Sequence, residues 1–97
     1  MKNTISVADI KSKVTEVAKD YNIRKVELFG SYAGGNQTRK SDIDLLVEFH
    51  EPSVSLLRII GLKNKLEKMT GKSVDVIHAP IPKESFLVID KVVPIYG

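Results

Sequence analysis

The sequence contains no cysteine and no tryptophan, and aromatic residues make up only 6% of it. Without cysteine, the chain has neither disulfides nor thiolate ligands for a metal ion. Its two histidines, His50 and His78, lack the H-x-x-x-H spacing that is typical of a zinc site. A protein without disulfides fits a reducing compartment, which favours a cytoplasmic location.

Long apolar runs and dense runs of one charge are also missing from the sequence. Residues 1–13 do not contain the apolar run of a signal peptide, and no segment approaches the roughly 20 apolar residues of a membrane span. We therefore expect a soluble, intracellular protein with no membrane partner. The net charge of +3 is spread along the chain, so nucleic acid is not expected to be the main partner.

What the chain does have is the composition of a small folded domain. Its 97 residues are 42% hydrophobic and 28% charged, without internal repeats, so residues 1–97 are predicted to form one domain. The order α-β-β-α-β-α indicates an α/β (α+β) fold with a small sheet flanked by helices. Apolar spacing places its helices near 7–21, 56–69 and 82–90, and its strands at 25–29, 42–49 and 73–78.

Two apolar segments are assigned to the core. The last one, residues 92–97, is an apolar tail that either docks to a partner or packs on its own sheet, and we favour packing. The other is the stripe along the second long helix, whose members recur at helical spacing and are all expected to be buried. These are Leu56, Ile59, Ile60, Leu66 and Met69.

The stretch GSYAGGNQTRKSDID, residues 30–44, ends in two closely spaced aspartates. Asp42 and Asp44 are two apart in a predicted strand, so their side chains point to the same face, with Cα atoms roughly 7 Å apart. Carboxylates this close repel each other, and a divalent cation such as Mg²⁺ removes the repulsion. The alternative is a strand entrance at which both acids simply face water.

The same stretch opens with Gly30 and Ser31, which follow the preceding strand. Glycine allows a backbone to come close to a ligand, and backbone N–H groups at a helix start or nest bind phosphate oxygens. The alternative for this pair is an ordinary turn. If the turn lies beside the aspartates, one end of the stretch binds phosphate and the other binds a metal.

A third acid, Asp75, lies between two valines in a short apolar strand. A carboxylate in such a strand needs a partner or access to water. Asp75 therefore either faces solvent on an edge strand or joins the first two acids, as a metal ligand or as a proton acceptor.

Together these residues resemble the signature of the DNA polymerase beta-like nucleotidyltransferase superfamily: Gly-Ser, ten residues, Asp-x-Asp, and an aspartate on a later strand. The segments VELFGSYAGG, SDIDLLVEF, LEKMTGKSVDVI and VVPIYG extend the resemblance to the minimal nucleotidyltransferase (MNT) domains, from about residue 5 onwards. The resemblance implies a mixed sheet flanked by helices. It also implies transfer of a nucleoside monophosphate to a hydroxyl, with AMP from ATP as the expected group.

The resemblance also assigns roles and partners. Asp42, Asp44 and Asp75 are the implied catalytic acids and ligands of two Mg²⁺ ions, and Gly30 and Ser31 bind the nucleotide. Many small members are antitoxins that adenylylate a tyrosine of a HEPT-type helical toxin ribonuclease, so such a toxin is the expected partner.

One position departs from the family, and two other functions stay open. Related sequences often carry arginine where this chain has Gly34. An antitoxin that neutralises its toxin by binding alone is the first alternative. Transfer to a small molecule ranks last, because the sequence has no helical second domain to form the acceptor pocket. The sequence does not fix the oligomeric state.

Overall fold

Four strands and three helices are formed by residues 5–35, 42–79 and 92–97, the parts of the chain that this computed structural model describes. Their order confirms a small mixed sheet with helices, as the sequence predicts. The predicted last helix, at 82–90, lies outside the described residues. The elements are α1 Val7–Ala18, β1 Ile23–Phe29, α2 Ser31–Gly34, β2 Ile43–Phe49, α3 Leu56–Thr70, β3 Val74–His78 and β4 Val93–Tyr96.

The described strands lie in the order β3-β2-β1-β4. β1 pairs antiparallel with both β2 and β4, whereas β2 and β3 run parallel. A parallel pair needs a crossover connection, and α3 supplies it. α1 and α3 contact each other, and they also contact β4 and β3 respectively, so the core lies between this helix pair and the sheet.

The first helix begins at a complete capping box. The Ser6 hydroxyl accepts a hydrogen bond from the Asp9 backbone N–H, and the Asp9 carboxylate accepts one from the Ser6 N–H. Both bonds satisfy donors that the first turn of a helix leaves unpaired. The turn after α1 ends at Asn22, whose φ of 56° is left-handed, and β1 begins at the next residue.

The strand alternation in β2 is as predicted, with the odd-numbered residues 43–49 all buried in the core. The apolar tail also packs on the sheet, because Ile95 is 2% exposed and its segment pairs with β1. The predicted packing of the tail is confirmed. What the sequence pattern did not indicate is that this tail forms a strand of the sheet.

The apolar stripe of α3 was only partly predicted. Leu66 is buried, as is Leu62, but Leu56 is 70% exposed and Ile60 is 42% exposed, so their assignment to the core is wrong. The core-facing side of α3 is centred on Leu62 and Leu66, and at 100° per residue Leu56 and Ile60 point away from it. The helix ends at Thr70, one residue after the predicted end at 69, and Gly71 caps it in a left-handed conformation with φ 71°.

Candidate active site

The predicted acids meet where β1 ends and β2 begins. Asp42 immediately precedes β2, and Asp44 is its second residue. In the sheet Asp44 lies opposite Phe29 of β1 on one side and opposite Asp75 of β3 on the other. Residues paired in register share a face of the sheet, so Asp44 and Asp75 project to the same side.

Asp44 and Asp75 are close enough to form a hydrogen bond between their carboxyl groups. The pKa of Asp44 is raised to about 6, most of all by partial burial and then by the negative charge of Asp75, the hydrogen bond to it and the charge of Asp42. Asp42 and Asp75 are themselves exposed. Asp44 and Asp75, which we call the acid pair, therefore concentrate negative charge at one point of the sheet.

Gly30 is placed directly against the acid pair. Its φ is 75°, in the region that favours glycine, and a Cβ built on it would lie 2.2 Å from Asp44 Oδ2. No side chain fits at that distance. Two features of this position therefore favour glycine: its backbone angle and the carboxylate beside it.

Ser31 begins the short helix α2, so the predicted phosphate-binding turn is a helix start, one of the two forms that the sequence allowed. The turn is closed by the Gly34 N–H, which donates to the Gly30 carbonyl over 3.1 Å. Tyr32, the second residue of α2, is 2% exposed and belongs to the core. Its buried hydroxyl has no hydrogen-bond partner.

Glu67, which the sequence analysis missed, holds the strand of Asp75 in place. Its Oε2 accepts a hydrogen bond of 2.9 Å from the Val74 N–H and lies 3.3 Å from Lys63 Nζ. The adjacent Ile43 N–H donates to the Ser73 carbonyl over 2.9 Å. These contacts hold the start of β3 beside β2. A signal was present, since Glu67 is the single acid in the sequence of α3.

The chemistry of the acid pair suits a divalent cation. Mg²⁺ prefers carboxylate oxygens and commonly takes one or two of them, with water and substrate phosphates in its remaining positions. Within residues 5–35, 42–79 and 92–97, no group of three or more His, Cys, Asp or Glu side chains is arranged so that it could hold a metal ion. Two carboxylates that repel each other beside a bare glycine backbone nevertheless fit a phosphate-bound Mg²⁺.

Both histidines lie at the other end of the sheet, away from the acids. They line a shallow concavity of about 340 Å³ together with Arg24, Glu48 and Glu51. Phe49 lines the same concavity, and Asp44 is five residues away from it along β2, so the acid lies roughly 17 Å from the histidine end of the sheet. The His78 ring contacts Phe49 edge-on, with ring centroids 5.5 Å apart.

A comparison with protein-family models identifies the fold that carries these acids. Residues 10–94 match the family described as the nucleotidyltransferase domain. The chain belongs to this nucleotidyltransferase family. It is therefore an enzyme of the nucleotidyltransferase class, and the resemblance that the sequence motifs indicated is confirmed.

Individual proteins that are similar to this chain have names that fit the same family. A chain of Methanocaldococcus jannaschii that is provisionally named a protein adenylyltransferase is 40% identical over 92 residues, which span 88% of this nucleotidyltransferase and 92% of that protein. A crystal structure of a toxin–antitoxin with the ATP analogue AMP-PNP aligns with a TM-score of 0.74 at 24% identity, over 90% of this chain and 73% of the other.

A second structure repeats the fold. The complex of a tri-AMPylated Shewanella oneidensis HEPN toxin with its MNT antitoxin aligns with a TM-score of 0.67 at 20% identity, over 94% of this chain and 72% of the other. At these identities the two structures establish the minimal nucleotidyltransferase fold. In the described residues, no helix has the length and apolar character needed to cross a membrane.

Proposed function

We propose that this nucleotidyltransferase transfers AMP from ATP to a hydroxyl group, that of a tyrosine, on a toxin protein of the HEPT or HEPN class, and thereby acts as an antitoxin. The observation that carries the proposal is the contact of Asp44 with Asp75 beside Gly30, because it combines a paired carboxylate site with a backbone that a phosphate can approach. The names of the relative and of the two complexes support the same reaction.

In the proposed reaction, the site residues bind the metal and the phosphates and accept a proton. Asp42, Asp44 and Asp75 hold Mg²⁺, for which two ions are expected, and Gly30 and Ser31 bind phosphate oxygens through their backbone. When bound, Mg²⁺ supplies charge neutralisation for the triphosphate and for the departing pyrophosphate. The acceptor oxygen forms a bond to the α-phosphorus while the bond from that phosphorus to pyrophosphate breaks. In this proposal Asp75 accepts the proton of the acceptor hydroxyl.

A transfer assay tests the proposal. The chain is incubated with Mg²⁺, the toxin encoded beside its gene, and ATP labelled at either the α- or the γ-phosphate. We expect the α-label and not the γ-label on the toxin, and Asp42→Ala with Asp44→Ala should abolish the labelling. Asp20→Ala, which removes an exposed acid from the turn after α1, is the control and should label normally.

The alternative is an antitoxin that neutralises its toxin by binding alone. The arrangement of the described acids, which does not reach a three-group metal cluster, is the observation that keeps this alternative in view. Toxin activity measured with the double alanine variant separates the two. Neutralisation that persists in this variant, with no label on any protein, would show that binding alone neutralises the toxin and that AMP transfer is not the antitoxin mechanism.

A further inference from the structure

The exposed side of α3 is divided into an apolar half and a basic half. We call it the α3 outer face, and it consists of Leu57, Ile60, Asn64, Lys65 and Lys68. Each of these residues is three or four positions from another of them, so they lie on one side of the helix. The core-facing side is defined by Leu62 and Leu66, which are buried.

The apolar half comes first along the helix. Leu57 is 80% exposed, Leu56 beside it 70% and Ile60 42%. A single exposed leucine needs no explanation, but these three lie within five residues of one helix. They are three of the four large hydrophobic residues that the described part of the chain exposes to this degree.

The basic half follows at the C-terminal end. Lys65 and Lys68 are exposed, and Lys68 is eight residues beyond Ile60, or about 12 Å along the helix. The single acid of α3, Glu67, is bound to Lys63 and to the Val74 N–H, so it does not neutralise them. The outer face therefore runs from apolar to positively charged.

This pattern does not suit a second copy of the chain. Parallel pairing of two α3 helices would place Lys65 and Lys68 against the same lysines of the other copy, which is repulsive. Antiparallel pairing along the whole face would place leucines against lysines. Pairing through the apolar half alone buries only a few side chains, far from the roughly 800 Å² per partner of a stable interface.

We propose that the α3 outer face is the docking surface for the acceptor protein, which presents apolar side chains and, about 12 Å further on, carboxylates. This inference rests on the proposed function for the identity of the partner. The helix ends at Gly71, four residues before Asp75, so its basic half lies at the edge of the sheet where the acid pair is found. α3 packs on the face of the sheet that carries Val74, whereas Asp75 projects from the opposite face. A protein docked on α3 therefore reaches the acid pair by extending round this edge of the sheet.

Equilibrium binding of the toxin encoded beside this chain's gene tests the surface without any chemistry. Calorimetry in EDTA, without ATP, gives the Kd for the wild type, for Leu57→Glu and for the double variant Lys65→Glu with Lys68→Glu. We expect both variants to weaken binding at least tenfold. Because the substituted side chains are exposed, their melting temperatures should stay close to that of the wild type.

Two controls match these variants in charge. Val92→Glu places a new charge on an exposed apolar residue outside α3. Lys11→Glu with Lys19→Glu reverses the charge of two exposed lysines, one in α1 and one directly after it. Both controls should bind the toxin within threefold of the wild type. Equal losses in the controls would assign the effect to net charge and overturn the docking surface.

The remaining outcomes are also decisive. Unchanged toxin binding by Leu57→Glu, no binding by the wild type, or a wild-type dimer that this variant dissociates would each refute the inference, the last because the occupant is then a second copy. Failure of the proposed function looks different. A wild-type chain that binds the toxin through this face but transfers no α-label would retain the docking surface and lose the reaction.

Discussion

At the scale of single residues, the site depends on what Gly30 lacks. A side chain there would meet both an unfavourable φ of 75° and the Asp44 carboxylate, with its Cβ 2.2 Å from Oδ2. Gly71 offers a natural comparison, because its φ of 71° is nearly the same while nothing lies within 4 Å of a built Cβ. The two positions separate the cost of backbone angle from the cost of contact with the site.

Alanine at these two glycines should therefore have different effects. Gly71→Ala is expected to destabilise the fold by about 1 kcal/mol through its backbone angle, with normal AMP transfer. Gly30→Ala adds the collision with Asp44 and should reduce transfer at least tenfold. Thermal unfolding and the transfer assay measure the two effects. Equal losses of transfer in both variants would mean that the Asp44 contact has no part in function.

The acid pair should cost stability in the absence of metal. The pKa of Asp44 is raised from 3.8 to about 6, so the folded chain binds more protons than the unfolded chain between these values, and stability falls as pH rises through them. We expect Asp44→Asn to raise the stability in EDTA at pH 7.5 by about 1 kcal/mol, allowing for screening by water. At pH 3.5 the gain should disappear.

Thermal unfolding at the two pH values measures this gain, with Asp20→Asn as the control for loss of an exposed acid. The same Asp44→Asn protein should have lost AMP transfer, which would show a residue retained for function at the expense of stability. A destabilised variant at pH 7.5 would contradict the proposed repulsion.

At the scale of elements, Glu67 joins α3 to the first residue of β3. Hydrogen bonding from the Val74 N–H lowers the pKa of the Glu67 carboxyl, and Lys63 lowers it further. A lowered pKa means that this contact stabilises the fold above the ordinary pKa of glutamate and is lost as pH falls through the lowered value. The register of β3, and with it the place of Asp75, depends on this end of the strand.

Substitution of Glu67 should loosen the start of β3. In Glu67→Ala the Val74 N–H loses its acceptor and should exchange its hydrogen faster, whereas Glu67→Gln keeps a side-chain oxygen and should protect it better. Native-state hydrogen exchange measures the difference. Equal protection of this amide in Glu67→Ala and the wild type would rule out the proposed anchoring role.

The elements also show what the sequence could and could not predict. The capping box at Ser6 and the glycine cap at Gly71 are local signals, and they lie next to the predicted start of the first helix at residue 7 and the predicted end of the second at residue 69. β4 was missed because four residues that include Pro94 give no clear alternation, and their partner β1 lies more than 60 residues earlier. Apolar spacing likewise could not tell which side of α3 faces the core.

At the scale of the whole molecule, the sequence motifs identify candidate site residues but not how these residues are arranged in space. The two-residue spacing predicts from strand geometry alone that Asp42 and Asp44 share a face. The pairing of Asp44 with Asp75 requires β2 and β3 to run parallel in one register, and that depends on the α3 crossover and on Glu67. Tertiary contacts of this kind are not written in the spacing of either strand.

Nucleotide binding is the decisive measurement, because we propose that phosphate and metal bind at the acid pair beside Gly30. Calorimetric titration with AMP-PNP should give binding to the wild type in Mg²⁺ that weakens at least tenfold in EDTA. Asp75→Asn should show the same loss even with Mg²⁺ present. Equal affinity in the variant and the wild type, or equal affinity with and without Mg²⁺, would refute a metal-dependent nucleotide site at the acid pair.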